Sequence, residues 1–562
     1  MNIIEERSLN DDSYRWDWPK DISPLLKKIF SSRDIGSPDD INYFLSNILP
    51  VSQFNELNDA VSLLVKNKDT KIVIVGDFDV DGATSTTLML SCLRDYGFKN
   101  VDYFIPDRFK LGYGLTKELV KKLITDNSPG LIVTVDNGIT SIEGCKFAKE
   151  NDIDVLITDH HLPGEKLPDA MIVNPNLKNC SFKGKNLAGV GVVFYLMAAL
   201  GKYLKSHRSV LKYLDLVALG TVADLVTLDL TNRILIKNGL KQMRSFSSSY
   251  GIKALAKISN IKLVDIDESE LSYKVAPKIN AAGRLEDMSI GVKCLLSSSD
   301  SEAMNYAREL EKINLRRREL DRKMSIEAKN MLNSISVIEK NNLPNIISLY
   351  SKDWHEGVVG IVASKIKEQY HRPVFIFASA ANNYIKGSGR SIPGFHLRDS
   401  LAELDSCVPG LIDKFGGHAM AAGLTLNLSS LETFNKEIQL IASRKLDDEI
   451  LARKILTDGQ LNEIDFSIKS VKDIIDSGPW GQNFPEPLFE GYFKLVSQDV
   501  VGNSHLKMSL MTLSSNLKLD AIAFNTIASD HKLNSTIRVT YKLKINNYFD
   551  LPRLQLVINH IE

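Results

Sequence analysis

Residues 72–82 read Ile72-Val73-Ile74-Val75-Gly76-Asp77-Phe78-Asp79-Val80-Asp81-Gly82. Four β-branched residues in a row predict a short strand buried on both faces, the habit of a parallel sheet. A glycine follows, and then three aspartates spaced by two. In extended backbone that spacing projects Asp77, Asp79 and Asp81 to one side, and in an open parallel sheet ligands sit outside the carboxyl ends of the strands. Three clustered carboxylates with no lysine or arginine among them call for a cation. Asp-x-Asp-x-Asp-Gly also opens an EF-hand calcium loop, but position twelve of such a loop falls on Leu88, where a bidentate glutamate is required.

The arrangement recurs outward from this stretch. The apolar run Leu131 to Val135 ends at Asp136, Val155 to Thr158 ends at Asp159-His160-His161, and Asp224 follows Gly220-Thr221-Val222-Ala223. One aspartate at a strand end is ordinary as a helix cap, and a lone histidine is ordinarily structural; four such termini in one domain read otherwise. Carboxylate and imidazole ligands without thiolate favour magnesium, manganese or iron over structural zinc. Their number suits two divalent cations, which at about 3.5–4 Å apart can share a carboxylate, activate a water and clamp a phosphoryl oxygen. Hydrolysis of a phosphate ester or anhydride is the chemistry indicated.

The rest of the chain supports an α/β reading. Ile72 to Val75, Val101 to Ile105, Leu131 to Val135 and Val155 to Ile157 are candidate strands, with helices between them at Ser85 to Tyr96 and Thr116 to Thr125. Residues 1–65 are polar and read as a helical segment before an α/β domain over 66–300. From 301 to 336 a glycine- and proline-free stretch, with Ala303, Tyr306, Leu310, Ile313, Leu320 and Met324 near helical spacing, predicts a connecting helix. Its arginines 316–318 read as a solvated face. A second α/β lobe over 337–450 begins at a strand Ile346 to Tyr350, and its glycines, among them Gly387, Gly389, Gly416, Gly417 and Gly423, suggest tight loops. Residues 451–562 carry alternating runs, Phe493 to Val496, Leu506 to Leu510, Ala521 to Phe524 and Leu554 to Val557, which predict a small β-barrel.

Composition excludes several classes. At 562 residues, 44% hydrophobic and 25% charged, the chain has material for several ordinary cores. A formal net charge of +0 argues against a binder that works by global phosphate neutralisation, while leaving room for a local basic channel. The amino terminus lacks an apolar signal-like run, and no stretch reaches the roughly 18 apolar residues of a membrane span, so a cytoplasmic protein is expected. The five cysteines are scattered, with no close pair to suggest a disulfide framework or zinc knuckle.

These residues resemble the DHH phosphoesterase superfamily, named for the motif present as Asp159-His160-His161. The resemblance extends through Gly76 to Gly82, Asp136-Asn137-Gly138, Gly220 to Asp224 and Asn280-Ala281-Ala282-Gly283-Arg284-Leu285. It continues through Trp354 to Ile361, Gly387-Ser388-Gly389-Arg390-Ser391 and Gly416-Gly417-His418-Ala419-Met420-Ala421-Ala422-Gly423. The segment Gly478 to Phe489 looks like the entry to the oligonucleotide-binding (OB) barrel of the superfamily's bacterial exonuclease branch. That implies a DHH parallel-sheet domain and a DHH-associated α/β domain joined by a long helix, then an OB-fold barrel. It implies a 5′-to-3′ exonuclease specific for single-stranded DNA, monomeric, using manganese or magnesium in recombinational and mismatch repair, with single-strand-binding protein and a helicase as its company.

Carried over residue by residue, the resemblance assigns Asp77, Asp79, Asp81, Asp136, His160 and Asp224 to the metals, with Asp136 as the bridge. Asp159 and His161 either orient a ligand or face phosphate. Arg284, His355 and the loop Gly416-Gly417-His418 are phosphate contacts, with Asn280 beside them on the substrate side. Arg108, Ser388 and Arg390 form a 5′-phosphate pocket, and a gap between the lobes too narrow for a duplex selects single strands. Tyr113, between Gly112 and Gly114, either stacks on a base or is a core tyrosine beside a turn. Phe78, Val80 and Thr227 depart from the commoner pattern without removing a ligand. Two rivals remain: a non-catalytic DHH-derived replication scaffold, disfavoured because every ligand position is filled, and a small-nucleotide phosphodiesterase, disfavoured by length and the terminal barrel.

Overall fold

The computed structural model describes residues 2–33, 35–108, 110–338, 343–502, 504–526, 531–546 and 551–562. The chain opens with β1 (Asn2–Glu6), α1 (Pro24–Ser31) and α2 (Glu56–Lys66), separated by single 3-10 turns. The helical segment expected over 1–65 is therefore mostly irregular. Pro19, Pro24, Pro38 and Pro50 punctuate it, and each proline removes a helical donor or restricts the residue before it.

The sequence from Ile72 onward then forms β2 (Ile72–Gly76), α3 (Val80–Asp95), β3 (Val101–Phe104), α4 (Lys117–Asn127), β4 (Leu131–Val135), α5 (Ile142–Lys149), β5 (Asp154–Thr158) and β6 (Met171–Val173). The strands lie in the order β3-β2-β4-β5-β6, all parallel. Every residue of β2 and β4 is buried, which is why these runs show no alternation. Helices α4 and α5 pack on one face through Leu119, Leu123, Cys145 and Ala148 against Val73, Ile132 and Ile157. Helices α6 (Gly189–Tyr203), α7 (Leu214–Ala223), α8 (Leu230–Arg244), α9 (Tyr250–Ile258), the single turn α10 (Glu268–Glu270), α11 (Ala276–Leu285) and α12 (Ser289–Leu296) complete this part, with a π-helical turn at Leu271–Val275.

The long expected helix is α13 (Asp300–Ile338), 39 residues. Arg316 and Arg318 are exposed and Arg317 is half-buried, with Arg317 donating to Asn314 Oδ1. The chain divides into two compact units, one of residues 5–283, 287–310 and 456–562, the other of residues 1–4, 284–286 and 311–455, so the division falls within α13.

The second unit continues with β7 (Ile347–Ser351), α14 (Val359–Tyr370), β8 (Val374–Ser379), β9 (Tyr384–Arg390), α15 (Leu397–Cys407), β10 (Lys414–Gly417), β11 (Ala421–Asn427), α16 (Leu431–Lys445) and the short α17 (Asp448–Leu451). Its sheet order is β10-β11-β9-β8-β7, with only β7 and β8 parallel. Gly387, Gly389, Gly416, Gly417 and Gly423 lie within strands rather than in the tight loops expected. The reason in β9 is packing: a Cβ on Gly387 would fall 2.4 Å from Phe377 Cε1, and one on Gly389 2.5 Å from Phe375 Cε1. The opposite face of β9 carries Lys386, Ser388 and Arg390, in keeping with the two-residue period of a strand.

After β12 (Arg453–Thr457) and α18 (Ile468–Ser477), strands β13 (Phe489–Val501), β14 (His505–Thr512), β15 (Lys518–Ala523), β16 (Thr536–Asn546) and β17 (Arg553–Ile561) close into a barrel in the order β13-β14-β15-β17-β16. The four sequence runs fall within β13, β14, β15 and β17, Ala521 to Phe524 passing the end of β15 by one residue. The fifth strand, β16, went unread although Ile537, Val539, Tyr541 and Leu543 are buried in alternation with Arg538, Lys542 and Lys544.

Overpacking of this kind costs about 1–3 kcal/mol, so Gly389→Ala is expected to unfold at lower urea than the parent. Adding Phe375→Leu should recover most of the loss. An unchanged urea midpoint for the single variant would contradict the packing account.

Candidate metal centre

Four neighbouring strands end level with one another. Gly76 pairs with Val135, Val135 with Thr158 and Thr158 with Val173. The next residue along each strand is Asp77, Asp136, Asp159 and Asn174. The carboxyl edge of the sheet therefore presents one row of polar side chains. Asp79 still has extended backbone (φ −126°, ψ −171°) but is the N-cap of α3, its Oδ1 accepting from Gly82 N at 3.0 Å, and Asp81 lies in the first helical turn, where the extended backbone assumed for the three aspartates is lost. Asp81 consequently leaves the extended stretch to which Asp77 and Asp79 belong.

The turn splits the carboxylates into two groups. Ligand-capable atoms of Asp77, Asp79 and Asp136 lie within 4.8 Å of one another, and so do those of Asp81, His160 and Asp224; a third grouping joins Asp136, His160 and His161. Asp136 and His160 each belong to two groups. Asp136 Oδ1, His160 Nε2 and Asp224 Oδ2 are buried and have no hydrogen-bond partner. His160 Nε2 stands 3.1 Å from Asp136 Oδ1 and 3.5 Å from Asp224 Oδ2. Buried polar atoms are normally satisfied, and an imidazole nitrogen facing two carboxylate oxygens is a cluster of electron-pair donors. A divalent cation among them would satisfy all three, so the donor set fits a metal.

Burial, and then the charges of neighbouring aspartates, push the carboxyls of Asp77, Asp136 and Asp224 well above the usual carboxylate range. Asp81 is raised to about 7 by the same causes, opposed by the backbone of Val190 and Gly189. Its two oxygens accept from Gly189 N at 2.6 Å and Val190 N at 2.9 Å, the first turn of α6. That helix end partly offsets the negative charge. It sits so close that a Cβ on Gly189 would fall 2.7 Å from Asp136 Cβ. Asp136 itself has φ +62°, a left-handed conformation rare for a residue other than glycine.

The two histidines are held differently. Burial lowers His160 to about 4, so its ring is neutral and its nitrogen lone pair available. His161 is raised, because the opposing effect of burial is outweighed by Asp159, whose Oδ1 lies 2.7 Å from His161 Nδ1. Asp159 is fully buried; Oδ1 also accepts from His160 N and His161 N, and Oδ2 from Ile139 N at 2.9 Å. With its oxygens so engaged, it orients His161 rather than facing a substrate.

Asn280 Oδ1 accepts from Val80 N at 3.1 Å, closing the first turn of α3. Arg108 places its guanidinium 4.5 Å from the centre of the Phe78 ring. Tyr113 is 45% exposed, which ends the core alternative, and meets Phe78 and His161 edge-on, each at 6.0 Å. Gly112 and Gly114 on either side have φ +77° and +76°.

In the second unit, Arg390 Nη1 donates to Ser388 Oγ at 3.1 Å and to Gly389 O at 2.8 Å. A Cβ on Gly360, in the first turn of α14, would lie 3.1 Å from both Ser388 Oγ and Arg390 Nη2. His355 Nδ1 accepts from Gly357 N at 3.0 Å, and Arg284 Nη1 reaches Gly357 O at 3.5 Å. Gly416 and Gly417 lie in the edge strand β10, paired with Gly423 and Ala422, and His418 N donates back to Ala421 O across the hairpin. These glycines form an exposed hairpin arm.

Sequence reading missed three asparagines. Asn137 Nδ2 bonds Val75 O and Val135 O, tying β2 to β4, while Asn174 Nδ2 and Asn176 Nδ2 hold the carbonyls of His161 and His160. Asn174-Pro175-Asn176 follows a strand as the aspartates do, and that position was the available signal.

Residues 71–221 match the DHH family N-terminal domain, 343–444 the DHHA1 domain and 457–560 the RecJ OB domain. Over 560 residues, 97% of each chain, the sequence is 42% identical to the single-stranded-DNA-specific exonuclease RecJ of Escherichia coli (strain K12). The chain belongs to the RecJ family. It is also 44% identical, over 96% of each chain, to the RecJ of Haemophilus influenzae. The fold matches RecJ of Thermus thermophilus in complex with Mn2+ at a TM-score of 0.84 and 26% identity, covering 100% of this chain and 79% of that one. A DHH sheet domain, a DHHA1 domain and a closed five-stranded OB barrel are thus the architecture of this RecJ relative. Among its described residues no helix is long and apolar enough to cross a membrane.

The raised carboxyls give a pH test. A group whose folded value lies above its unfolded one keeps a proton that the unfolded chain has released, so the metal-free chain loses stability as pH rises from the ordinary carboxylate value through the raised ones, Asp81's being about 7. A cation that replaces those protons should raise the apparent Tm more at pH 8 than at pH 6, with proton release seen by titration calorimetry in two buffers. An increment independent of pH would contradict this charge arrangement.

Proposed function

We propose that this chain is a 5′-to-3′ exonuclease that removes 5′-mononucleotides from single-stranded DNA, acting as a monomer in recombinational and mismatch repair alongside single-strand-binding protein and a helicase. The observation that carries the reading is the set of unpartnered buried atoms Asp136 Oδ1, His160 Nε2 and Asp224 Oδ2, standing at the strand ends of a sheet whose relatives are named single-stranded-DNA-specific exonucleases. Asp77, Asp79, Asp81, Asp136, His160 and Asp224 would hold two divalent cations, Mn2+ or Mg2+. Such cations activate water for in-line attack and neutralise charge developing on the phosphoryl group.

The chain's own residues do the rest. Asp136, common to two ligand groups, fixes their spacing, and its left-handed backbone keeps the carboxylate aimed across the strand ends. His160 stays neutral near pH 7 and presents Nε2. His161, braced at Nδ1 by Asp159, keeps its proton to higher pH than a free imidazole and offers a donor to a phosphate oxygen. Arg108 and Tyr113 line the same edge of the sheet and contact the strand, the tyrosine by stacking on a base.

End selection is the task of Ser388 and Arg390. A serine hydroxyl, a guanidinium and the first turn of α14 converge within a few ångströms, a combination suited to a terminal phosphate. Burial lowers Arg390 from its ordinary value, so a phosphate there compensates a poorly solvated cation. Arg284 and His355 serve phosphates further along the strand.

With Mn2+ and single strands labelled at one end or the other, mononucleotides should appear from the 5′ end alone. Asp136→Ala should lower turnover by about three orders of magnitude at saturating metal, and Arg390→Ala should reduce the preference for a 5′ phosphate over a 5′ hydroxyl by about 10- to 100-fold. Release from 3′ ends, or an unaltered end preference in the arginine variant, would refute the reading.

A further inference from the structure

Next to the loop that leaves Asp224, a cavity of about 670 Å3 is lined by Arg7, Arg33 and Arg233 together with Asn186 and the segment 481–485. Arg33 is neutralised there. Its guanidinium pairs with Asp458 at 2.5 Å, both side chains being 1% exposed. Arg7 and Arg233 have no such partner: among the described residues no carboxylate lies within ion-pair distance of either, and the Nε of each is buried without a hydrogen bond. Arg233 is 3% exposed and donates to two carbonyls, Leu228 O at 2.7 Å and Asp40 O at 2.8 Å, while lying 4.2 Å over the Phe484 ring.

The acidic residues of the cavity are engaged elsewhere. Asp40 accepts from Gly36 N and Ser37 N, and Asp229 from Asn232 N and Asn186 Nδ2. Burial first, and then the charge of Arg33, lower Arg7 from its ordinary value against the smaller pull of Asp458. Neither guanidinium has an ion-pair partner among the described residues, Arg233 is almost wholly buried and Arg7 half-buried, and an anion entering the cavity would lower the cost of holding them there.

We propose that this cavity is a phosphate-binding site separate from the metal centre, in which Arg7 and Arg233 grip one phosphate group. Arginine's planar fork suits phosphate oxygens better than a halide. The volume falls in the range of small-molecule sites and admits a mononucleotide. The polar side chains Asn186, Gln482 and Asn483 of the lining supply further donors. The phosphate belongs either to a free nucleotide or to the backbone of a strand.

The test is titration calorimetry and thermal unfolding on the Mn2+-loaded full chain, with inorganic phosphate, thymidine 5′-monophosphate and an oligothymidine lacking terminal phosphates as probes. Wild type should bind one more phosphate than Arg7→Met, any phosphate at the metal centre being common to both. In phosphate-free buffer Arg7→Met should melt at or above the wild-type temperature, since it removes one of two uncompensated cations, and phosphate should then raise its Tm far less than it raises that of wild type. Arg7→Lys, which keeps the charge, should retain the extra phosphate with affinity reduced about tenfold.

A tighter extra site for the monophosphate assigns the cavity to nucleotides; displacement of phosphate by the oligothymidine assigns it to the strand. Equal phosphate stoichiometry and affinity in wild type and Arg7→Met, or chloride binding as well as phosphate, would overturn the proposal.

Discussion

The structure is organised around one electrostatic difficulty: several carboxylates are gathered at the carboxyl edge of a parallel sheet, out of water and close enough to oppose one another's ionisation. Nothing in an apolar sheet favours this. Level strand ends enforce it, because Asp77, Asp136 and Asp159 each occupy the first position beyond paired residues. The surrounding elements answer the charge one carboxylate at a time. The start of α6 donates two backbone N–H groups to Asp81, and Asp159 is quenched by amides and an imidazole. Asp136 and Asp224 keep a bare oxygen. Asp159, its oxygens taken up, braces the site, while Asp81, Asp136 and Asp224 keep ligand-capable atoms within reach of His160.

The second unit faces the opposite difficulty. Gly387 and Gly389 give up side chains so that β9 can lie against Phe375 and Phe377, and this close approach seats the strand firmly. The other face of the same strand carries Ser388 and Arg390. Their geometry therefore depends on aromatic packing on the far side of one strand, and a cation is held half-buried by carbonyl and hydroxyl partners. Guanidiniums without an ion-pair partner among the described residues recur at Arg7 and Arg233.

Much of this was readable before any coordinates. Unbroken β-branched runs announce strands covered on both faces, so Ile72 to Val75 and Leu131 to Val135 were found with nearly correct ends. Aspartates immediately after such runs point to the edge where they congregate. What periodicity could not convey was the backbone just beyond Asp79. An aspartate spacing of two suits a strand, yet Asp79 is also an ideal helix cap, and capping prevailed. At Asn280 and the Gly416-Gly417 hairpin the motif named residues without showing that their polar atoms also bond the chain's own backbone. The strand β16 was different, since its alternation of apolar and basic residues was visible and simply went unread.

The level row of strand ends also bears on how this architecture tolerates change. A side chain at the first position beyond a strand takes its place first from the sheet's hydrogen-bond register. Loops beyond His161 and Asn176 can therefore lengthen, shorten or exchange sequence over evolutionary time while the charged row stays fixed, whereas the turns after Asp77 and Asp136 carry Asp79, Asp81, Asn137 and Ile139 N into the site. Divergence in substrate handling is cheap in such a scaffold, whereas a one-residue deletion inside β2, β4 or β5 would displace the row and turn every inward side chain of that strand outward.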